Sequence, residues 1–335
     1  MKKTIGIAGN ILLDVVKKIE CWPERGMLVN INSVSHAIGG CVGNTAIDLK
    51  RLDPALDVKV FGRVGQDEYG DFVLRTMREE GLDVSAVVRS ELPTSFTDVM
   101  TLPGGERTFF HARGANAQFS DADVGEETCD LFHLGYLLLL DELDKEDAEY
   151  GTKAARLLAR MQARGAETSI DLVSAQTGRF RSVVTPALSY CDHVVINEIE
   201  GGLLTDTPAR DENGKPIREN FEKICERLFG LGVKKSVVIH CPELSCAMDA
   251  ERTFRLLPSL NLPKEYIVGS VGAGDAFCAG MLYAFARGLS LDAGMRIASC
   301  AAACNLSVAD SVSGARVLAD TLALEEVFGR RSLSC

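Results

Sequence analysis

The sequence lacks the features that mark a nucleic-acid binder, a membrane protein or a disulfide-stapled secreted domain. Basic residues are in deficit: 36 Lys and Arg against 47 Asp and Glu leave a formal net charge of −11. A chain of that sign repels phosphate backbones and anionic lipid, so no nucleic-acid or membrane partner is expected, and a small soluble ligand is. The longest apolar stretch, Leu134 to Leu140, falls far short of the ~20 residues that span a bilayer. The eleven cysteines contain no CxxC pair and no Cys/His cluster at zinc-finger spacing. Several, such as Cys278 and Cys300, sit among small and apolar residues and read as buried thiols in a reducing compartment. Met1-Lys2-Lys3 is followed by an apolar run, but Asn10 and Asp14 interrupt it and no small-x-small cleavage site follows. That run reads as a first strand, and a cytoplasmic location is expected.

Other chemistries are missing too. The five histidines are scattered, so none suggests a triad or metal cluster. There is no GxxxxGK[ST], because the one Gly-Lys, Gly214-Lys215, runs into Pro216, and there is no HRD or DFG. The first strand ends in Gly9-Asn10 without GxGxxG, which sets a dinucleotide-dependent dehydrogenase aside.

What is present, in 335 residues that are 46% hydrophobic and 25% charged, suits one large domain with an accessory piece or two modest domains. Short β-rich runs at Thr4–Ala8, Val58–Val64, Leu131–Leu134, Thr168–Leu172, His193–Ile196 and Ser236–His240 read as strands. Helical spacing appears at Gly70–Glu80, Glu146–Arg164 and Phe221–Leu231. Such alternation predicts an α/β fold: a mostly parallel sheet flanked by helices, with ligands at the carboxyl ends of the strands. Val29–Val34, and Ser95–Leu102 turning at Pro103-Gly104-Gly105-Glu106 into Arg107–His111, do not fit that core. They are expected to pair into a small second sheet over the strand ends, bringing Asp14, Arg107, His111 and Arg113 near a cleft.

Three segments carry candidate chemistry. Gly269-Ser270-Val271-Gly272-Ala273-Gly274-Asp275 opens a helix whose apolar face includes Phe277, Gly280, Met281, Ala284 and Phe285. Its first N–H groups and positive dipole end suit a transferring phosphoryl group. Asp275 beside them can take the proton of an attacking hydroxyl, or it can simply cap the helix. Asn197-Glu198-Ile199-Glu200 follows an apolar strand; Asn197 and Glu200 can organise magnesium, which needs few protein oxygens, or form a capping box. Gly39-Gly40-Cys41-Val42-Gly43-Asn44 reads either as a ligand-approaching loop or as the entry to a helix running to about Leu52.

In this order and spacing the elements resemble the PfkB, or ribokinase-like, family of carbohydrate kinases over nearly the whole chain. Gly39-Gly40 to Asn44 is similar to its N-terminal signature, Gly62-Arg63-Val64-Gly65-Gln66-Asp67 to its glycine-aspartate strand exit, Asn197 and Glu200 to its NxxE motif, and Val271 to Asp275 to its C-terminal signature. The resemblance implies a ribokinase-like large α/β domain, assigned to residues 1–10, 38–92 and 117–335, with a small β lid from 11–37 and 93–116. It implies ATP- and Mg²⁺-dependent phosphorylation of a sugar hydroxyl. Asp275 would be the general base, the amides of Gly272, Ala273 and Gly274 the anion hole, and Asn197 and Glu200 the magnesium residues. Asp14, Gly40 and Asn44 would bind substrate, with Arg113 a further lid contact.

Gly269 and Ser270 stand where the family carries an aspartate that helps hold a monovalent cation, which removes the basis for potassium activation. His240-Cys241-Pro242-Glu243-Leu244-Ser245 replaces the family's Thr-x-Gly-x-x-Gly. Two rivals remain at this stage. A nucleoside kinase of the same fold would need Leu13, Val42 and Phe110 to form an apolar pocket, and a sugar sensor would have lost its nucleotide site at 240–245. A homodimer through lid edges near 26–37 and 95–111 is also expected.

Overall fold

The computed structural model describes residues 3–173 and 178–332; Cys335 lies outside them. The strands are β1 (Thr4–Ala8), β2 (Leu12–Ile19), β3 (Ile31–Gly39), β4 (Asp57–Gly65), β5 (Val87–Ser90), β6 (Phe96–Thr101), β7 (Arg107–Ala112) and β8 (Leu131–Leu137). They continue with β9 (Glu146–Asp147), β10 (Gly151–Thr152), β11 (Glu167–Leu172), β12 (His193–Asn197), β13 (Ser236–His240), β14 (Leu244–Asp249) and β15 (Phe254–Pro258). The helices are α1 (Gly40–Leu52), α2 (Glu68–Glu79), α3 (Asp121–Val124), α4 (Lys153–Ala163), α5 (Phe180–Leu188), α6 (Glu198–Thr205), α7 (Arg218–Gly230), α8 (Ala273–Arg287), α9 (Leu291–Leu306) and α10 (Leu318–Phe328).

The central sheet runs β15-β14-β13-β12-β11-β8-β1-β4-β5. It is parallel from β13 to β5, and β14 and β15 add an antiparallel edge. Inner strands β12 and β13 are apolar in their middles because both faces are covered, as in Val194–Ile196 and Val237–Ile239. One core packs α4, α5 and α7 on one face, and a second packs α1, α8 and α9 on the other. Where α8 meets α9, a Cβ on Gly280 would lie 2.4 Å from the Ala298 Cα, so the two backbones touch.

The two segments that did not fit the core form the second sheet together with β2, a strand the sequence reading did not single out, in the order β3-β2-β6-β7. It is mixed rather than wholly antiparallel, since β2 and β6 pair in parallel. The strand expected over Val29–Val34 runs instead over Ile31–Gly39 and leads directly into α1, so no loop separates Gly39 from the helix.

The helix expected over Glu146–Arg164 begins only at Lys153. Asp147 Oδ1 accepts from the N–H groups of Glu149 and Tyr150, both at 3.0 Å, and Gly151 takes φ 84°. That side-chain turn and left-handed residue yield a short hairpin of two-residue strands, β9–β10, before Thr152 caps α4 by accepting from Ala155 N–H at 3.2 Å.

Candidate active site

Two cavities lie near the N-termini of α1 and α8. The smaller, of about 210 Å³, is lined by Asp171, Asn197, Glu200, His240, Gly272, Gly274 and Asp275, among others. The larger, of about 860 Å³, lies between the second sheet and the body, and its lining includes Asp14, Arg107 and Ser311. The smaller is built at the carboxyl ends of β8, β11, β12 and β13, where a parallel α/β sheet leaves its crevices.

Asp275 sits in the first turn of α8 and is buried. Its Oδ2 accepts from Asn44 Nδ2 at 2.9 Å, and the Tyr136 hydroxyl donates to Oδ1 at 2.9 Å and Oδ2 at 3.1 Å. Burial, with Asp171 nearby, pushes its carboxyl up to about 7, while the Asn44 and Tyr136 hydrogen bonds pull the other way. A carboxylate poised there exchanges a proton readily at neutral pH.

The turn that delivers Asp275 needs Gly272, which has φ 78° and whose Cβ would strike the Ser311 carbonyl at 2.5 Å. Ala273 N–H reaches back to Ser270 O at 3.4 Å. The donors at the start of α8 otherwise lack intrahelical partners, as at any helix N-terminus, and Gly272 and Gly274 line the smaller cavity.

Asn44 links one residue from the lining of each cavity, Asp275 and Ser311. Its Oδ1 accepts from Ser311 Oγ at 2.9 Å, which fixes the amide so that its NH₂ faces Asp275. Gly40, at φ 83°, lies behind this wall with its backbone against the Asn10 carbonyl. Asp14 lines the larger cavity, and its carboxyl is pushed up to about 7 by burial and by Asp275, opposed by the Arg107 guanidinium. Arg107 Nη2 donates across to Ala309 O at 2.6 Å, tying the second sheet to the body.

Asn197 and Glu200 form the capping box: Asn197 Oδ1 accepts from Glu200 N–H at 2.9 Å and Glu200 Oε2 accepts from Asn197 N–H at 3.0 Å. The same pair lines the smaller cavity, so capping and cavity placement coexist. Oxygen donors there, facing the phosphate-suited end of α8, fit a magnesium ion that keeps most of its waters.

Other candidates lie elsewhere. Arg113 Nη1 is bound to the Asp141 carboxylate, and neither Arg113 nor His111 lines either cavity. His111 Nδ1 pairs with Thr97 Oγ1 at 3.1 Å instead. Leu13 and Val42 are wholly buried in the core while Phe110 is 52% exposed, so the three form no common apolar pocket. In the 240–245 segment the departure from the family pattern produces a tight β13–β14 turn, with Cys241 N–H donating to Leu244 O at 2.9 Å. His240 projects into the cavity, and burial lowers it to about 4, so it is neutral at pH 7.

Sequence reasoning missed Tyr136, Asp171 and His240. Each stands at the carboxyl end of a strand, β8, β11 and β13, and that placement was the available signal. Tyr136 also takes φ 56°, uncommon for a residue other than glycine.

The model of the pfkB family carbohydrate kinase matches residues 4–316. A ribokinase of Schizosaccharomyces pombe is 24% identical over 303 residues, covering 88% of this chain and 89% of that protein. A 2-dehydro-3-deoxygluconokinase of Escherichia coli K12 is 26% identical over 293 residues, covering 84% and 88%. The structure of Arabidopsis thaliana ribokinase complexed with ribose and ATP superimposes with a TM-score of 0.79 at 20% identity, covering 97% of this chain and 99% of that one. The ribokinase-like fold is thus shared across the whole molecule, and the chain belongs to the pfkB family of carbohydrate kinases, phosphotransferases that act on a hydroxyl group.

Proposed function

We propose that this protein transfers the γ-phosphoryl group of ATP to a hydroxyl of a sugar or sugar derivative bound between the second sheet and the body. The observation that carries this reading is the buried Asp275, held by Asn44 and Tyr136 at the N-terminus of α8 and facing a cavity lined by Gly272 and Gly274. The Arabidopsis relative that shares the fold was determined with ribose and ATP, which agrees with this donor and substrate class.

Asp14 orients the sugar by accepting from its hydroxyls, with Asn44 and the Gly40 backbone shaping the wall behind. Asp275 takes the proton of the attacking hydroxyl as its oxygen bonds to the γ-phosphorus and the bond to ADP breaks. Backbone N–H groups from Gly272 to Gly274 stabilise the charge on the phosphoryl oxygens. Asn197 and Glu200 would hold magnesium, partly through water; when bound, the ion neutralises charge on the donor's phosphates. Arg107 draws the lid onto the body and excludes water.

Exposed Ile31, Val34, Phe109 and Phe110 lie on β3 and β7, the edge strands of the lid. Edges of this kind support the pairing of two copies through their lids.

ADP release from ATP and Mg²⁺ across ketoses, aldoses, sugar acids, sugar phosphates and nucleosides tests the proposal, with Asp275→Asn alongside. Turnover on one class, lost in the variant, is the expected result. Sugar binding without ADP formation from any donor would replace the kinase with a sensor.

A further inference from the structure

His133 on β8 stands opposite Ser169 in the parallel β8–β11 register. Asp171, two residues beyond Ser169, projects from the same face of the sheet. Over that face lies α8, where Cys278 follows Asp275 by three residues and shares its side of the helix. Three chemistries 145 residues apart in sequence at their extremes therefore converge, all buried.

The separations approach those of a coordination shell. His133 Nε2 lies 3.5 Å from Asp171 Oδ2 and 3.8 Å from Cys278 Sγ, and the three atoms fall within 4.8 Å of one another. Tetrahedral zinc, with bonds of about 2.0–2.3 Å to N, O and S, sets its ligands about 3.3–3.7 Å apart. The outer contacts also match: Ser169 Oγ is 3.1 Å from His133 Nδ1, and Tyr136 N–H donates to Asp171 Oδ1 at 2.9 Å, so the far atoms of His133 and Asp171 are already held.

A second observation concerns charge. The adjoining cavity is lined by the carboxyl groups of Asp171 and Asp275, and by no Lys or Arg among the described residues. Buried carboxylates call for a cation or for protons. Asp171 and Cys278 both line this cavity, so a fourth position is open to it.

We propose that His133, Asp171 and Cys278 form a three-ligand site for a thiophilic divalent cation of the zinc class, open toward the cavity beside Asp275. This site is separate from the magnesium reading, because imidazole and thiolate select zinc-like ions while magnesium takes oxygen. Cys278 enters it as the thiolate, releasing its proton to solvent. The inference does not depend on the kinase reading, since it is tested by binding.

The test loads the metal-stripped full chain with Co²⁺ and then Zn²⁺, following absorption and metal content. One cobalt per chain is expected, with thiolate-to-cobalt absorption in the near ultraviolet and tetrahedral bands in the visible, both erased by an equivalent of zinc. Cys278→Ser should remove the thiolate band, and His133→Gln should weaken binding ~10–100-fold. If either variant fails to fold by circular dichroism, X-ray absorption of the zinc-loaded wild type decides: one sulfur among N and O neighbours supports the site, and several sulfurs or oxygens alone overturn it. Absence of the thiolate band in the wild type, or an unchanged spectrum in both folded variants, would also overturn it.

Discussion

The two carboxylates that frame the site, Asp14 and Asp275, are both raised to about 7 and both chiefly by burial, yet they are restrained differently. Asp275 is countered by hydrogen bonds from Asn44 and Tyr136, which belong to the packed body. Asp14 is countered by a charge, Arg107, carried on the lid and tied across to Ala309. Under the proposed function, a base poised by fixed donors would keep its proton affinity whatever the second sheet does. A substrate-side carboxylate poised by an arginine of that sheet would be the better acceptor only while the sheet is held against the body.

The comparison breaks most visibly at the base. Asp275→Asn should lower kcat by ~10²–10⁴ with little change in sugar KM, and a variant retaining wild-type turnover removes Asp275 from the chemistry. Acid should reproduce part of this: kcat falls about tenfold per pH unit below about 7 as the raised Asp275 carboxyl protonates. A profile flat down to pH 5 would contradict that sign. Asp14→Asn should instead raise sugar KM ~10–100-fold, the range of one lost charge-assisted hydrogen bond, with a smaller effect on kcat.

Arg107→Ala should raise KM only ~2–10-fold, and the acid limb of binding should move up in pH as Asp14 loses its nearby cation while that of kcat stays put. Coincident movement of both limbs would deny the distinction between a fixed and a lid-borne restraint.

The smallest effect is on stability. A carboxyl raised in the folded state favours folding below its unfolded value of 3.8, and that contribution is lost as pH rises through about 7. Asp275→Asn should therefore raise Tm by several °C at pH 8 and leave it nearly unchanged at pH 4.

Much of this was legible from sequence because it is local. The apolar runs of β12 and β13, the glycines opening α8 and the Asn197–Glu200 spacing each depend on neighbours within a few residues. The two strand segments that did not fit a parallel core were likewise recognisable as a second sheet. Legibility failed where local signals compete or contacts are distant. Asp147 and Gly151 overrode helical spacing before Lys153, a turn chemistry that periodicity hides. Arg113 looked available but is held by Asp141, and His133, Asp171 and Cys278 carry no recognisable spacing because β8, β11 and α8 meet only in the fold.

The contact at Gly280 carries a lesson for engineering. Replacing a mid-helix glycine by alanine is a standard route to a sturdier protein, since alanine favours the helix by about 1 kcal/mol. Here the added methyl would have to displace the Ala298 backbone, and so push apart α8, which the turn at 272–275 opens, and α9. The substitution that helix propensity recommends most strongly in α8 is thus the one that its neighbour forbids.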